Sequence, residues 1–178
     1  LGPLRLLALG ALVPHKGHAD LLEALARVRE PMELCLAGDG PLRAALESHR
    51  RRLELDAVRF VGEVGEGIHL FAGADLFVHP SRTEGLGSAV LDALACGRPV
   101  LATRAGGLPE IVKAPWGRLV PPSDPAALAA ALDELARAKR TDPGLLPGMG
   151  AVGRAFVAAE HRPEAMITGV KAVYDRAA

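Results

Sequence analysis

ADLFVHPSRTEGLGSAVLDALACGRPVLAT, residues 74–103, holds a complete strand–loop–helix–strand unit. Asp75–His79 and Pro99–Thr103 are short apolar runs closed by Pro, Gly or polar residues, the pattern of strands. Between them Val90, Leu91, Leu94 and Ala95 recur at helical spacing, so a helix is expected from about Gly85 to Cys96. Neither run alternates polar with apolar residues. Both faces of these strands are therefore covered, which points to a parallel sheet rather than a half-solvated antiparallel one.

The same unit repeats outward. Leu4–Leu9, Glu33–Ala37 and Val58–Val61 are further apolar runs. They are separated by helical stripes at Leu21, Leu22, Leu25 and Val28, and at Leu42, Ala45 and Leu46. Downstream, Asp124-Pro125 offers an N-cap followed by Pro at the first helical position, ahead of Leu128, Leu132 and Leu135. The expected class is α/β: a Rossmann-like, doubly wound parallel sheet. Its pattern extends over residues 1–140. Residues 141–178 read as a Pro/Gly-rich linker, TDPGLLPGMG over Thr141–Gly150, and C-terminal helices packing on the same domain, the last over Glu164–Ala177.

Composition narrows the function. The chain has 178 residues, long enough for one compact core, with 21 basic and 21 acidic side chains and no formal net charge. Zero net charge argues against bulk electrostatic binding to nucleic acid or to an anionic membrane. No apolar run approaches the roughly 18 residues of a membrane span, and no signal peptide is recognisable. Cys35 and Cys96 lie in apolar runs without metal-ligand spacing, so they are expected as buried free thiols in a cytoplasmic protein. Neither Asn nor Gln occurs, and Arg far outnumbers Lys, which suggests a thermophilic or GC-rich source. The chain begins at Leu1 rather than Met, so it is expected to be a piece of a longer protein.

In open parallel sheets ligands bind beyond the carboxyl ends of the strands. Five loops lie there: Gly10–Gly17, Gly38–Pro41, Gly62–Glu63, Pro80–Gly87 and Arg104–Gly107. Each carries glycine, which lets backbone N–H groups approach a ligand, and helix N-termini add unpaired donors for phosphate. Lys16, the first lysine in the chain, opens one such helix and suits a phosphate partner. Glu84 and Asp92 are eight residues apart, about 12 Å along a helix, which is too far to share a proton but fits two grips on an extended ligand. His79 and His15 are expected in surface or capping roles, Glu110 as a helix cap, Asp39 as a turn residue, and Arg50–Arg52 as a solvated patch. No Ser/His/Asp triad or metal-spaced cluster is legible. A dinucleotide oxidoreductase is disfavoured, because the first loop lacks G-x-G-x-x-G.

ALVPHKG, LAGDGPLR, VRFVGEV, the 74–103 stretch, AGGLPEIV and GRLVPPSDPAALAAAL, in that order, resemble the donor-binding domain of the group-1 family of retaining glycosyltransferases with the GT-B fold. The resemblance spans about residues 4–140, and the last helix with Tyr174 is similar to that family's C-terminal helix. It implies one half of a two-domain enzyme that moves a sugar from a nucleotide diphosphate sugar, a UDP-sugar or GDP-sugar, to an acceptor held by a missing N-terminal domain. On that resemblance Lys16 and Glu84 are the catalytic residues. Lys16 would bind the diphosphate, Glu84 the transferred sugar, and Asp92 the ribose. The amides of Leu86, Gly87 and Ser88 would face sugar and phosphate. Gly10, Gly38, Gly40 and Gly62 complete the donor site. No cofactor or metal is expected, nor any nucleic-acid partner or membrane span, although the full-length enzyme could sit peripherally on a membrane.

Two positions depart from the family pattern. Ala11 stands where the family usually has Arg, leaving His15 and Arg104 as candidates to supply its charge. Asp92 stands where the signature has a second Glu. The alternative function is a non-catalytic nucleotide-binding module.

Overall fold

The computed structural model describes residues 2–65 and 67–160; the final helix expected over Glu164–Ala177, with Tyr174, lies outside them. Six strands form one sheet: β1 (Leu4–Leu9), β2 (Met32–Ala37), β3 (Val58–Gly62), β4 (Leu76–His79), β5 (Val100–Thr103) and β6 (Gly117–Val120). Their spatial order is β3-β2-β1-β4-β5-β6, and every neighbouring pair is parallel. The sheet is thus doubly wound, with its order reversing between β1 and β4, where a ligand crevice forms at the carboxyl ends.

Consecutive strand residues point to opposite faces, and both faces are packed. Leu6, Val78 and Leu101 pack under α1 (His18–Leu25), α2 (Arg43–Arg52) and α6 (Pro125–Thr141). Leu7, Phe77 and Ala102 pack on the other side with residues of α3 (Ile68–Gly73), α4 (Ser88–Ala95) and α5 (Leu108–Ile111). All four residues of β4 and of β5 are buried, as their unbroken apolar runs require. The N-cap expected at Asp124 is present: its carboxylate accepts from the Ala127 amide at 2.9 Å, with Pro125 in the first turn.

Three expectations change. β6 was not anticipated from apolar content, since Gly117 and Arg118 dilute its four residues. α4 starts at Ser88, three residues beyond the expected Gly85, because Gly87 adopts a left-handed conformation (φ 76°, ψ 58°). Most of the expected 141–150 linker is helix. α6 reaches Thr141, and α7 (Leu145–Glu160) begins after a three-residue turn. Pro147 lies in the first turn of α7, where its missing N–H has no partner to lose. The glycines of α7 let it approach α4 closely, since a Cβ on Gly150 would fall 1.9 Å from the Gly97 carbonyl oxygen. Trp116 and Phe156 stack with centroids 4.6 Å apart and hold the far side of that contact.

Candidate functional site

The loops after β1 and β4 lie side by side because those strands are neighbours. Arg82 ties them together, donating to both carboxylate oxygens of Asp20 at 2.8 and 2.7 Å, and its amide donates to the His15 carbonyl at 2.7 Å. Gly17 presses on the Pro80 carbonyl, leaving no room for a Cβ. The β5 loop joins from the other side: the Gly107 amide donates to the Gly85 carbonyl at 2.9 Å.

This clasp brings Lys16 and Glu84 together across 68 positions of sequence. Lys16 Nζ lies 2.6 Å from Glu84 Oε2. The same oxygen meets His79 Nε2 at 2.7 Å and accepts from Ser81 Oγ at 3.2 Å, while Oε1 accepts from the Gly85 amide at 3.1 Å. Burial pushes the Glu84 carboxyl up, but the Lys16 and His79 hydrogen bonds outweigh it and hold its pKa at about 2. Burial pushes the His79 imidazolium down, with the Glu84 hydrogen bond only partly opposing, so the ring is neutral near pH 7. An ionised carboxylate has no proton to give, so the His79–Glu84 bond requires the tautomer with hydrogen on Nε2.

His79 is therefore not the surface or capping residue expected from sequence. It is 3% exposed and directly bonded to Glu84. Ser81, wholly buried, was missed altogether. The available signal was its alternation: His79 and Ser81 are two apart at a strand end, so their side chains leave the chain on the same side.

Asp92 stands apart from this cluster. It is exposed on α4 and lines a cleft of about 580 Å³ with Leu9, Val64, Ile68, Phe71 and Cys96. Glu84 precedes α4 instead of lying on it, so the axial spacing argued from one continuous helix does not apply. The amides of Leu86, Gly87 and Ser88 donate to no other described residue. Those of Gly10 and Gly38 are engaged between loops, donating to Ala37 and Gly62 carbonyls at 3.0 and 2.7 Å. The Gly40 amide donates to the Asp39 carboxylate at 2.7 Å, which is the turn role expected of Asp39. Gly62 closes β3 at φ 77°.

Other side chains settle simply. Ala11, His15 and Arg104 are exposed, and Glu110 is exposed in the first turn of α5 without a capping bond. Arg50 is no solvated residue: it reaches the Leu55 and Val58 carbonyls at 3.5 and 3.3 Å. Cys35 and Cys96 are free and half-buried, and burial pushes both thiols up. Among the described residues no three His, Cys, Asp or Glu side chains converge as a metal site needs, and no helix is long and apolar enough to cross a membrane.

His18, at the start of α1, is 4% exposed, and neither ring nitrogen makes a well-formed hydrogen bond, only a weak approach to the Ala11 backbone. Burial lowers its pKa to about 4, with His79 and Lys16 pushing the same way and only the Ala11 carbonyl opposing. The unfolded chain binds this proton near pH 6.5 and the folded chain near 4. Stability is thus full above pH 6.5 and lost as the pH falls through that window. Chemical denaturation at pH 7 and pH 4 is expected to differ by about 2–3 kcal/mol. In His18→Leu the His18 share disappears, while His79, whose pKa burial also lowers, keeps its own loss in the same window and Glu84 adds another below about pH 4.5.

Comparisons with known proteins place this geometry. The model of the family described as "Glycosyl transferases group 1" matches residues 3–138. The GDP-mannose-dependent monoacylated alpha-(1-6)-phosphatidylinositol monomannoside mannosyltransferase of Corynebacterium glutamicum is 40% identical over 170 residues, covering 87% of this chain and 42% of its own. The structure of HepE from Anabaena in complex with UDP and glucose superposes with a TM-score of 0.82 at 25% identity, over 99% of this chain and 48% of that one. The C-terminal domain of the group 1 family protein LpcC from Francisella tularensis shares the fold, with a TM-score of 0.76 at 24% identity over 91% of this chain and 88% of that one. The chain spans less than half the length of the curated relatives it matches.

Proposed function

We propose, starting from the fact that this chain belongs to the group 1 glycosyltransferases, that it is the donor-binding half of a retaining enzyme. That enzyme would transfer a sugar from a nucleoside diphosphate sugar to an acceptor. The observation carrying this reading is the meeting of Lys16, Glu84 and the unpaired Leu86–Ser88 amides at the β1/β4 crevice. A diphosphate needs a cation and oriented donors. A transferred sugar needs a carboxylate beside them for its hydroxyls. One relative is by name a GDP-mannose-dependent mannosyltransferase and one neighbour is seen with UDP and glucose, which favours a GDP-sugar or UDP-sugar here.

In this reading Lys16 and the α4 amides take up the negative charge that develops on the departing diphosphate, in a preformed arrangement. Glu84 holds the sugar while the acceptor attacks the same face. Asp92 takes the ribose, and its cleft takes the base. The acceptor binds on a second domain across the crevice. We infer a cytoplasmic location, which two free, half-buried thiols suit because such a compartment keeps thiols reduced.

Calorimetric titration of the 178-residue chain with UDP, GDP and ADP tests the donor site. Binding of at least one is expected. No heat or shift from any of the three at millimolar concentration would remove the basis for the assignment.

A further inference from the structure

Glu84 Oε2 has three polar neighbours, and they are of two kinds. Lys16 is charged and ends a single 3-10 turn over Pro14–Lys16, half-buried, with a flexible four-carbon stem. His79 and Ser81 are uncharged at neutral pH and buried. His79 is the last residue of β4, in register with Ala102 of β5, and its ring stacks on Phe77 with centroids 5.9 Å apart. Ser81 Oγ lies 3.1 Å from His79 Nε2, and the Ser81 carbonyl accepts from the Thr103 hydroxyl, so both donors are fixed from below.

A diphosphate and Glu84 compete for the one ammonium. The diphosphate carries more charge and also meets the Leu86–Ser88 amides, so Lys16 turns toward it when a donor arrives. Glu84 then loses its only charged partner. A carboxylate left with no donor on Oε2 would swing toward solvent and away from the sugar. The buried imidazole prevents this without adding charge that would itself attract the diphosphate.

We propose that His79 is a positioning residue for Glu84, its Nε2–H keeping the carboxylate aimed at the sugar once Lys16 has moved to the diphosphate. This rests on the donor-binding reading above. His79 touches neither sugar nor phosphate in this scheme; it acts through Glu84, with Ser81 as the second anchor.

The test compares two affinities in each of three proteins: UDP with UDP-glucose, and GDP with GDP-mannose, in the wild-type chain, His79→Phe and His79→Gln. Phe keeps the stacking on Phe77 but donates no hydrogen bond, whereas Gln donates one. The preference for the nucleotide sugar over the bare nucleotide is expected to fall at least about fivefold in His79→Phe, with the bare nucleotide little affected, and to recover in His79→Gln. A merely structural role would move both ligands together. In the wild type, the Nε2-bound proton of His79 is expected downfield in NMR spectra, and to persist when UDP or GDP saturates the site. Loss of that proton signal on saturation, or a preference unchanged in His79→Phe, overturns the proposal while leaving nucleotide binding intact. Failure of the wild type to bind any nucleotide overturns the donor reading and this inference together.

Discussion

Lys16→Ala is expected to weaken nucleoside diphosphate binding about 100-fold, a loss of about 3 kcal/mol. The chain has no net charge to fall back on, so the diphosphate depends on local cations and oriented amides. Exposed Arg104 on the β5 loop is a further cation beside the crevice, but two other groups there are not available. Arg82 is locked in its bidentate pair with Asp20. His79 is held neutral by burial. Ala11 supplies nothing where the family pattern has Arg. Calorimetry on Lys16→Ala and Lys16→Arg separates charge from shape: Arg keeps the charge and is expected to retain most of the affinity. If Lys16→Ala binds within about threefold of wild type, the amides alone carry the anion and Lys16 has no place in the donor site. The folded state is expected to tolerate the change, since His79 and Ser81 still satisfy Glu84.

Gly106→Ala is expected to destabilise the chain by about 4 kcal/mol or more, placing it among the severe single substitutions. Gly106 has φ +51°, and a Cβ there would fall 1.6 Å from the Glu84 carbonyl oxygen. The overlap is with backbone, so no rotamer change relieves it; the Pro80–Gly87 loop or the Arg104–Gly107 loop must move. For a chain of this size the melting temperature is expected to drop by roughly 8–16 °C. Nucleotide binding falls as well, because the displaced loop carries Glu84 and the free amides. Gly73→Ala is the control: a Cβ there meets nothing within 4 Å, and little change is expected. Equal melting temperatures for the two variants would show that the loop contact does not hold the site.

The sheet was legible because its central strands are buried on both faces and so are written as unbroken apolar runs. β4 and β5 needed nothing more. β6 and α7 were not legible, for one shared reason: glycines interrupt the apolar pattern of each. Gly150 reads as the end of a Pro/Gly linker, yet it and Gly153 let the helix lie against Gly97, Leu94 and Trp116. The candidate site was half legible. Lys16 and Glu84 stood out by type and by loop, but their contact follows from β1 and β4 being neighbours, a property of strand order that no local window contains. His79 and Ser81 were passed over because local sequence does not show whether a polar residue at a strand end faces water or a carboxylate. Asp92 was placed on the right helix but grouped with Glu84 by a spacing that the Gly87 turn breaks.

The clasp between the β1, β4 and β5 loops bears on how this scaffold can diversify. Those loops share backbone contacts, so a change in one must be answered in the others, and insertions there are disfavoured. Val64 and Ile68, after β3, line the cleft beside Asp92, and among the described residues they make no hydrogen bond to the clasp loops. A lineage, or a designer's library, can therefore vary recognition at that wall while the machinery around Glu84 stays constant. Changes of nucleotide preference are expected to accumulate at these positions first.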